Sequence, residues 1–217
     1  YMAIYVTGDT HGRHDFVKLK LFAQRDSQLT KSDYVIIAGD FGAVWYEPTL
    51  EQDLKPYEDL PFTVLFVDGN HENFDLLNAY PVDEWHGGKV HFVRPDIIHL
   101  MRGQVFELEG KSIFTFGGAT SIDQYLRRES VSWWKEEMPS YEELDEGISN
   151  LKRYGHKVDY IITHSCGERA LLYPPLRTRP VPLGRYPDHH MLPYFEAIVH
   201  TPNWYFAHSH MDTPPNA

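Results

Sequence analysis

The sequence predicts an α/β fold that begins with a mostly parallel sheet and continues into a second, antiparallel one. Apolar runs alternate with helix-like segments through roughly the first eighty residues, which is typical of βαβ units. Farther on, apolar runs are separated only by short turns, which is typical of antiparallel strands. A chain of 217 residues, 42% of them hydrophobic, can bury one large core. We therefore expect one domain over residues 2–217.

Five apolar runs are each followed closely by residues that can bind a metal. The runs are residues 3–7, 34–38, 64–68, 160–163 and 204–207, and the residues that follow them are Asp9 with His11, Asp40, Asn70, His164, and His208 with His210. Continuous apolar runs indicate parallel strands buried on both faces, and ligands collect outside the carboxyl ends of such strands. The sequence therefore predicts that one sheet edge gathers these side chains.

Helices are predicted over His14–Asp26 and Thr49–Asp59, between the first strands. A third helix has the strongest local signal, because Ser140 and Glu143 have the spacing of a capping box and Gly155 suits the C′ position. Its apolar residues share one helical face: Leu144, Ile148 and Leu151.

The middle of the chain predicts an antiparallel meander that forms the second sheet. Its four short runs are residues 89–93, 97–101, 104–108 and 111–116. Between Leu172 and Pro193, six prolines predict a long ordered surface loop instead of regular structure.

Composition excludes several classes of protein. The formal net charge of −11 argues against a basic surface that follows a nucleic-acid backbone, and so disfavours long double-stranded DNA as a partner. The sequence has no apolar stretch of the roughly 18 residues that predict a membrane span, and its N-terminus lacks the pattern of a signal peptide. We therefore expect no membrane partner and a cytoplasmic location. The single cysteine, Cys166, excludes an intramolecular disulfide.

The residues after the five runs have the chemistry of a catalytic metal site. Carboxylates, imidazoles and an Asn carbonyl suit Mn²⁺, Fe²⁺ or Zn²⁺, whereas structural zinc sites usually include thiolates. The i, i+2 spacing of Asp9 with His11, and of His208 with His210, places each pair on one side of an extended segment. Either pair alone is more often structural than metal-binding. Five such endings in this order favour a metal centre.

The order of these motifs resembles that of the calcineurin-like metallophosphoesterase superfamily. A later stretch resembles one found in its small bacterial and phage members, through Arg127, Arg128, Trp133 and Trp134. The family pattern is Asp-x-His, Gly-Asp, Gly-Asn-His-Asp/Glu, His and Gly-His-x-His, and it spans residues 9–210 here. The resemblance implies two mixed β-sheets packed face to face and flanked by helices, a four-layer sandwich. It also implies two metal sites that share Asp40. One would be held by Asp9, His11, Asp40 and His210, and the other by Asp40, Asn70, His164 and His208.

The resemblance further implies a dinuclear hydrolase of phosphoric esters, whose partner is a phosphate-ester substrate. A hydroxide that bridges the metals would attack phosphorus in line, and His71 would protonate the leaving group. The implied cofactors are two divalent ions, with Mn²⁺ favoured and Fe or Zn as alternatives. Two other functions stay open: a phosphodiesterase or nuclease for small or single-stranded substrates, and a non-catalytic interaction module. Preference for monoesters or diesters, and the oligomeric state, are not predicted.

The chain departs from the family pattern at several positions. Phosphoprotein phosphatases continue Gly-Asp-x-x-Asp-Arg-Gly, but residues 41–45 here are Phe-Gly-Ala-Val-Trp, which disfavours phosphoproteins as substrates. Arg13 is a weak substitute for the missing arginine, and a charged residue facing water is the alternative. Gly117 and Gly118 are weak candidates for binding an anion, and a plain tight turn is the alternative. Family members continue with further strands beyond residue 217, so we expect a truncated C-terminus, and Tyr1 is interpreted as non-native.

Overall fold

The chain folds into two β-sheets with helices against their outer faces. The computed structural model describes residues 2–167, 188–201 and 203–210, with only the backbone of residues 188–190. The strands are β1 (Ile4–Thr7), β2 (Tyr34–Ala38), β3 (Thr63–Val67), β4 (Val82–Trp85), β5 (Gly88–Arg94), β6 (Ile97–Leu100), β7 (Gln104–Leu108), β8 (Lys111–Phe116), β9 (Tyr160–Thr163) and β10 (Trp204–Tyr205). The helices are α1 (Phe16–Arg25), α2 (Leu50–Glu58), α3 (Phe74–Leu77), α4 (Tyr141–Arg153) and α5 (Asp188–Ile198).

Both sheets are mixed. The first has six strands in the order β1-β2-β3-β6-β5-β4, with β1, β2, β3 and β6 parallel and the last two pairings antiparallel. The second has four strands in the order β10-β9-β8-β7, and only the β7–β8 pairing is antiparallel. The parallel strands of each sheet lie side by side, so their carboxyl ends form a continuous edge.

The core lies in three layers, which confirms the predicted four-layer sandwich. Strand β2 is buried along its whole length: Val35 and Ile37 pack with α1 and α2, whereas Ile36 and Ala38 pack between the sheets. This alternation follows from the two-residue period of a strand. Across the central layer, Ile36 shares a cluster with Ile113 and Ile162 of the second sheet. The outer face of that sheet packs against α4 and α5 through Phe114, Phe116, Leu144, Leu151 and Phe195.

The predicted helices are confirmed to within two residues at each end. The best local prediction holds in detail at α4: Ser140 caps the helix and completes a reciprocal capping box with Glu143. At the other end, Gly155 has φ +61°, its N–H donates to Lys152 O, and the N–H of His156 donates to Leu151 O. These two bonds form a Schellman motif, with Gly155 at C′ as expected.

Three expectations about topology were wrong. The five strands that carry the metal-binding residues belong to two sheets, because β1, β2 and β3 lie in the first and β9 and β10 in the second. The predicted meander is divided as well: β5 and β6 form a hairpin in the first sheet, and β7 and β8 form one in the second. Strand β6 pairs with β3, and the turn at Arg102 and Gly103 carries the chain across to the other sheet.

The third wrong expectation is that the proline-rich segment forms a loop up to Pro193. Its last residues belong to α5, which contains Pro193. Most of the predicted loop, residues 172–187, lies outside the described residues. Among the residues that are described, no helix combines the length and apolar character that a membrane crossing requires.

Candidate metal centre

Six of the seven predicted ligands form two compact groups where the carboxyl edges of the two sheets meet. Asp9, His11 and His210 form one group, and Asp40, His164 and His208 form the other. Within each group, one possible ligand atom from each residue lies within 4.8 Å of the others. The seventh residue, Asn70, joins the second group through its Oδ1, which lies 3.1 Å from His164 Nε2. The partition matches the one that the sequence resemblance implies.

Asp40 lies between the two groups. Asp40 is 1% exposed. Its Oδ1 lies 3.5 Å from His164 Nε2, and its Oδ2 lies 3.8 Å from His11 Nε2. Burial is the largest single effect and raises the pKa of this carboxyl, but the charge and hydrogen bond of His164, together with the charge and backbone N–H of His71, hold the pKa below its usual range. Each carboxylate oxygen therefore faces a different group of ligands, as a bridging carboxylate requires.

Two glycines allow members of the centre to approach one another this closely. Gly39 has φ +104°, and a Cβ there would lie 2.0 Å from His164 Nδ1. A Cβ on Gly69 would lie 2.1 Å from Asp40 Oδ1. Both distances are far shorter than van der Waals contact, so any side chain at these positions would displace a member of the centre.

His164 is oriented by a bond between the sheets. Its Nδ1 donates to Ala38 O of β2 at 2.9 Å, which leaves Nε2 facing Asn70 and Asp40. Burial would lower the pKa of this fully buried imidazole, but the Asp40 and Asp9 carboxylates raise it to about 10.

The other group lies closer to solvent. His210 Nε2 is 2.8 Å from Asp9 Oδ2 and 3.2 Å from His11 Nε2. Despite this short approach, the buried Asp9 Oδ2 has no partner in hydrogen-bonding geometry. A buried carboxylate oxygen without a hydrogen bond, facing two imidazole nitrogens, is a donor set that fits a divalent cation.

Four members of the centre have a backbone conformation that non-glycine residues rarely adopt. The φ angles of His11, Asp40, His208 and His210 are +45°, +49°, +59° and +52°. Such residues cost about 1–3 kcal/mol each and persist only where the surroundings hold them. Here the N–H groups of Thr10 and His11 both donate to Asp40 O, which ties the first motif to the second.

His71 lies beside the two groups. Its backbone N–H donates to Asp40 Oδ1 at 2.7 Å, and its ring centroid is 5.3 Å from that of His11. Burial lowers the pKa of the imidazole; the Asp40 charge opposes this, and the charge of Arg127 adds to the lowering. Arg127 thus brings a positive charge near His71, although its Nε is paired with Asp123 Oδ1 at 2.8 Å.

The three weak candidates for substrate binding are held by other parts of the protein. The side chain of Arg13 is 61% exposed, and it contacts Asp53 at 3.1 Å and Gln52 O at 2.7 Å. This arrangement agrees with the alternative of a charged surface residue. The N–H of Gly118 donates to Asp68 O at 2.9 Å, and a Cβ on Gly117 would lie 2.3 Å from Asp68 Oδ1. The glycine pair therefore packs against the end of β3.

Several residues around the centre were not assigned by sequence reasoning. Glu72 is 1% exposed and accepts the N–H groups of Phe41 and Gly42 at 2.7 and 3.1 Å, so it fixes the loop that follows Asp40. Burial, followed by the nearby Asp40 charge, raises the pKa of Glu72 well above its usual range. Ser121 accepts a hydrogen bond from Asn70 Nδ2 at 3.0 Å. Ser121 lies in the segment of the Gly-Gly turn, and Glu72 is the last residue of the Gly-Asn-His-Glu motif. These positions were the only sequence signal for the two residues.

Comparison with known proteins gives one strong match. The family model described as calcineurin-like phosphoesterase matches residues 2–212, nearly the whole chain. No curated protein matches. A crystal structure of a protein of unknown function from Aquifex aeolicus is similar at 16% identity and a TM-score of 0.36. That match covers 76% of this chain and 81% of the other.

Proposed function

Because the chain belongs to the calcineurin-like phosphoesterase family, we propose that it hydrolyses phosphoric esters at a dinuclear metal centre. The observation that carries the proposal is the pair of ligand groups, Asp9 with His11 and His210, and Asp40 with His164 and His208. Asn70 completes the second group, and Asp40 bridges the two. Since all seven ligands are retained, a non-catalytic interaction module is the weaker alternative.

The proposed ions are Mn²⁺, with Fe or Zn as alternatives, because the ligands are carboxylates, imidazoles and one amide. When bound, such ions lower the pKa of a coordinated water and neutralise negative charge on the phosphoryl oxygens. Asp40, Asn70 and His164 are themselves buried and follow strands of the core, β2, β3 and β9, so this part of the centre is formed before the substrate binds.

His71 is the proposed proton donor to the leaving oxygen. Its backbone N–H bond to Asp40 fixes it beside the centre without making it a ligand. The His71 side chain is half-buried, so a substrate can reach it. Its imidazole can then donate a proton to the leaving oxygen. A monoester and a small diester are the two substrate classes that the panel below distinguishes, and the net charge of −11 disfavours long DNA.

Turnover of a substrate panel tests the proposal. Metal-free protein is supplied in turn with Mn²⁺, Zn²⁺ and Fe²⁺, and assayed with an aryl monoester, an aryl diester, a phosphopeptide and a nucleotide. We expect metal-dependent turnover that falls at least ~10³-fold in Asp40→Asn, because the shared ligand is weakened. Asp96→Asn is the matched control, since Asp96 lies at the opposite edge of the same sheet, where its carbonyl accepts Val64 N–H. Undiminished turnover in Asp40→Asn would contradict the bridging assignment.

A further inference from the structure

Asn70 is a proposed ligand whose side-chain amide has two unlike ends. Its carbonyl oxygen can bind a cation, whereas its NH₂ group, if turned toward the ion, cannot. The two orientations fill almost the same volume, so packing alone does not choose between them. A neighbouring group with a fixed hydrogen-bonding direction is needed to select the productive one.

That group is the hydroxyl of Ser121. Asn70 Nδ2 lies 3.0 Å from Ser121 Oγ, and Ser121 Oγ lies 2.6 Å from Glu137 Oε2. The three residues are 7%, 4% and 0% exposed, so water does not take the place of either contact. A serine hydroxyl has one proton. When it donates that proton in a hydrogen bond to Glu137, it can only accept a hydrogen bond from Asn70.

Glu137 is itself fixed as an acceptor. Its Oε1 receives the N–H of Ser121 at 2.8 Å and the Nε2–H of Gln124 at 2.8 Å. Because Oε1 accepts two N–H groups, Oε2 is the atom placed to accept the Ser121 proton, at 2.6 Å. The direction of each bond in the chain from Glu137 to Ser121 to Asn70 is thereby determined.

We propose that Ser121 and Glu137 are positioning residues that turn the carbonyl of Asn70 toward the second metal site. The inference rests on the dinuclear centre proposed above. It assigns a role to the segment after the Gly-Gly turn, which lies about fifty residues beyond Asn70 in sequence. Neither residue touches the ion, and both act through the orientation of one amide.

The test uses Glu137→Gln, which keeps the shape of the side chain but supplies an NH₂ group. Donation from this group to Ser121 Oγ would turn the serine proton toward Asn70 and favour the wrong amide orientation. Titration with Mn²⁺ alone, followed by calorimetry, should then show the second site weakened by roughly 10–100-fold, with the first site nearly unchanged. Ser121→Ala, which removes the directing hydroxyl, should weaken the same site.

Two comparisons separate orientation from loss of structure. In an Asn70→Asp background both ends of the side chain are carboxylate oxygens, so adding Glu137→Gln should no longer weaken the second site. A merely structural role for Glu137 would weaken binding equally in both backgrounds. Ser112→Ala is the matched control, because Ser112 forms a similar pair with Asp159 at the start of β8, and it should leave Mn²⁺ binding unchanged.

The outcomes distinguish this inference from the proposed function. Wild-type protein that binds two Mn²⁺ ions, with Glu137→Gln and Ser121→Ala both within twofold of its affinity, would overturn the positioning role alone. Equal weakening by Glu137→Gln in the Asn70 and Asn70→Asp backgrounds would also overturn it. Wild-type protein that binds fewer than two ions would overturn the dinuclear centre and this inference together.

Discussion

His71 is a single residue whose proposed role can be separated from metal binding. Replacing it with Ala should leave both ions bound, since it contacts Asp40 only through its backbone N–H. A lost general acid matters most when the leaving group is a poor one. We expect kcat to fall about 10²–10⁴-fold for an alkyl or phenyl ester, and much less for a nitrophenyl ester.

Steady-state kinetics across leaving groups of different pKa, together with metal analysis of the variant, checks this prediction. Equal losses for all leaving groups would remove the role of His71 as a proton donor, and loss of metal would make it part of the ligand framework instead.

At the scale of residues, the sequence was most informative where chemistry depends on short spacing. Asp9 with His11 could be paired from their spacing alone, and one group in the fold contains both. His208 and His210 have the same spacing, but they lie in different groups, as the family resemblance implied. Ser121 and Glu137 could not be found in this way. Serine and glutamate are common, the two are far apart in sequence, and their contact exists only because the chain folds back over Asn70.

At the scale of elements, α4 carries a prediction about stability. Ser140 Oγ accepts the Glu143 N–H at 3.1 Å, and Glu143 Oε2 accepts the Ser140 N–H at 2.7 Å. Ser140→Ala removes the first bond and should lower the free energy of unfolding by about 1 kcal/mol, whereas Ser140→Gly should cost only a few tenths. Urea unfolding followed by circular dichroism measures both values. Identical stability of Ser140→Ala and wild type would show that the cap contributes nothing.

Helices and strands differed in how far the sequence could predict them. The limits of α4 were predictable because its caps are formed by neighbouring residues. Strands β5 to β8 were recognised as strands, but their division between two sheets was not. The Arg102-Gly103 turn reads like the other turns in sequence, and its role as a crossover depends on distant partners such as Asp68. Sheet membership is set by pairing between remote segments, which local patterns do not record.

At the scale of the whole molecule, Arg102 joins parts that the sequence separates. It is buried, and its Nε and Nη2 contact Asp68 Oδ2 at 2.9 and 2.6 Å, while Nη1 contacts Glu143 of α4 at 3.0 Å. Burial would raise the pKa of Asp68, but Arg102 and His99 hold that pKa below its usual range. With the pKa lowered on folding, the pair stabilises the protein above the unfolded-state pKa of about 3.9, and this contribution is lost as pH falls through the folded-state pKa.

Arg102→Met should therefore be far more damaging at neutral pH than in acid. The variant leaves a buried carboxylate without its cation, and we expect the free energy of unfolding to fall by about 3–5 kcal/mol at pH 7. The loss should shrink toward pH 4, because without Arg102 burial raises the pKa of Asp68 and lets it bind a proton there. Adding Asp68→Asn should recover part of the loss at pH 7. Urea unfolding at the two pH values measures both effects, and a loss that is the same at pH 4 and pH 7 would contradict this account.

Anomalous diffraction from crystals grown with Mn²⁺ shows whether the two sheets converge on one pair of cations. We expect two anomalous peaks about 3.5–4 Å apart on either side of the Asp40 carboxylate. One peak should lie among Asp9, His11 and His210, and the other among Asn70, His164 and His208. A single peak, or peaks with Asp40 outside their coordination, would contradict this expectation.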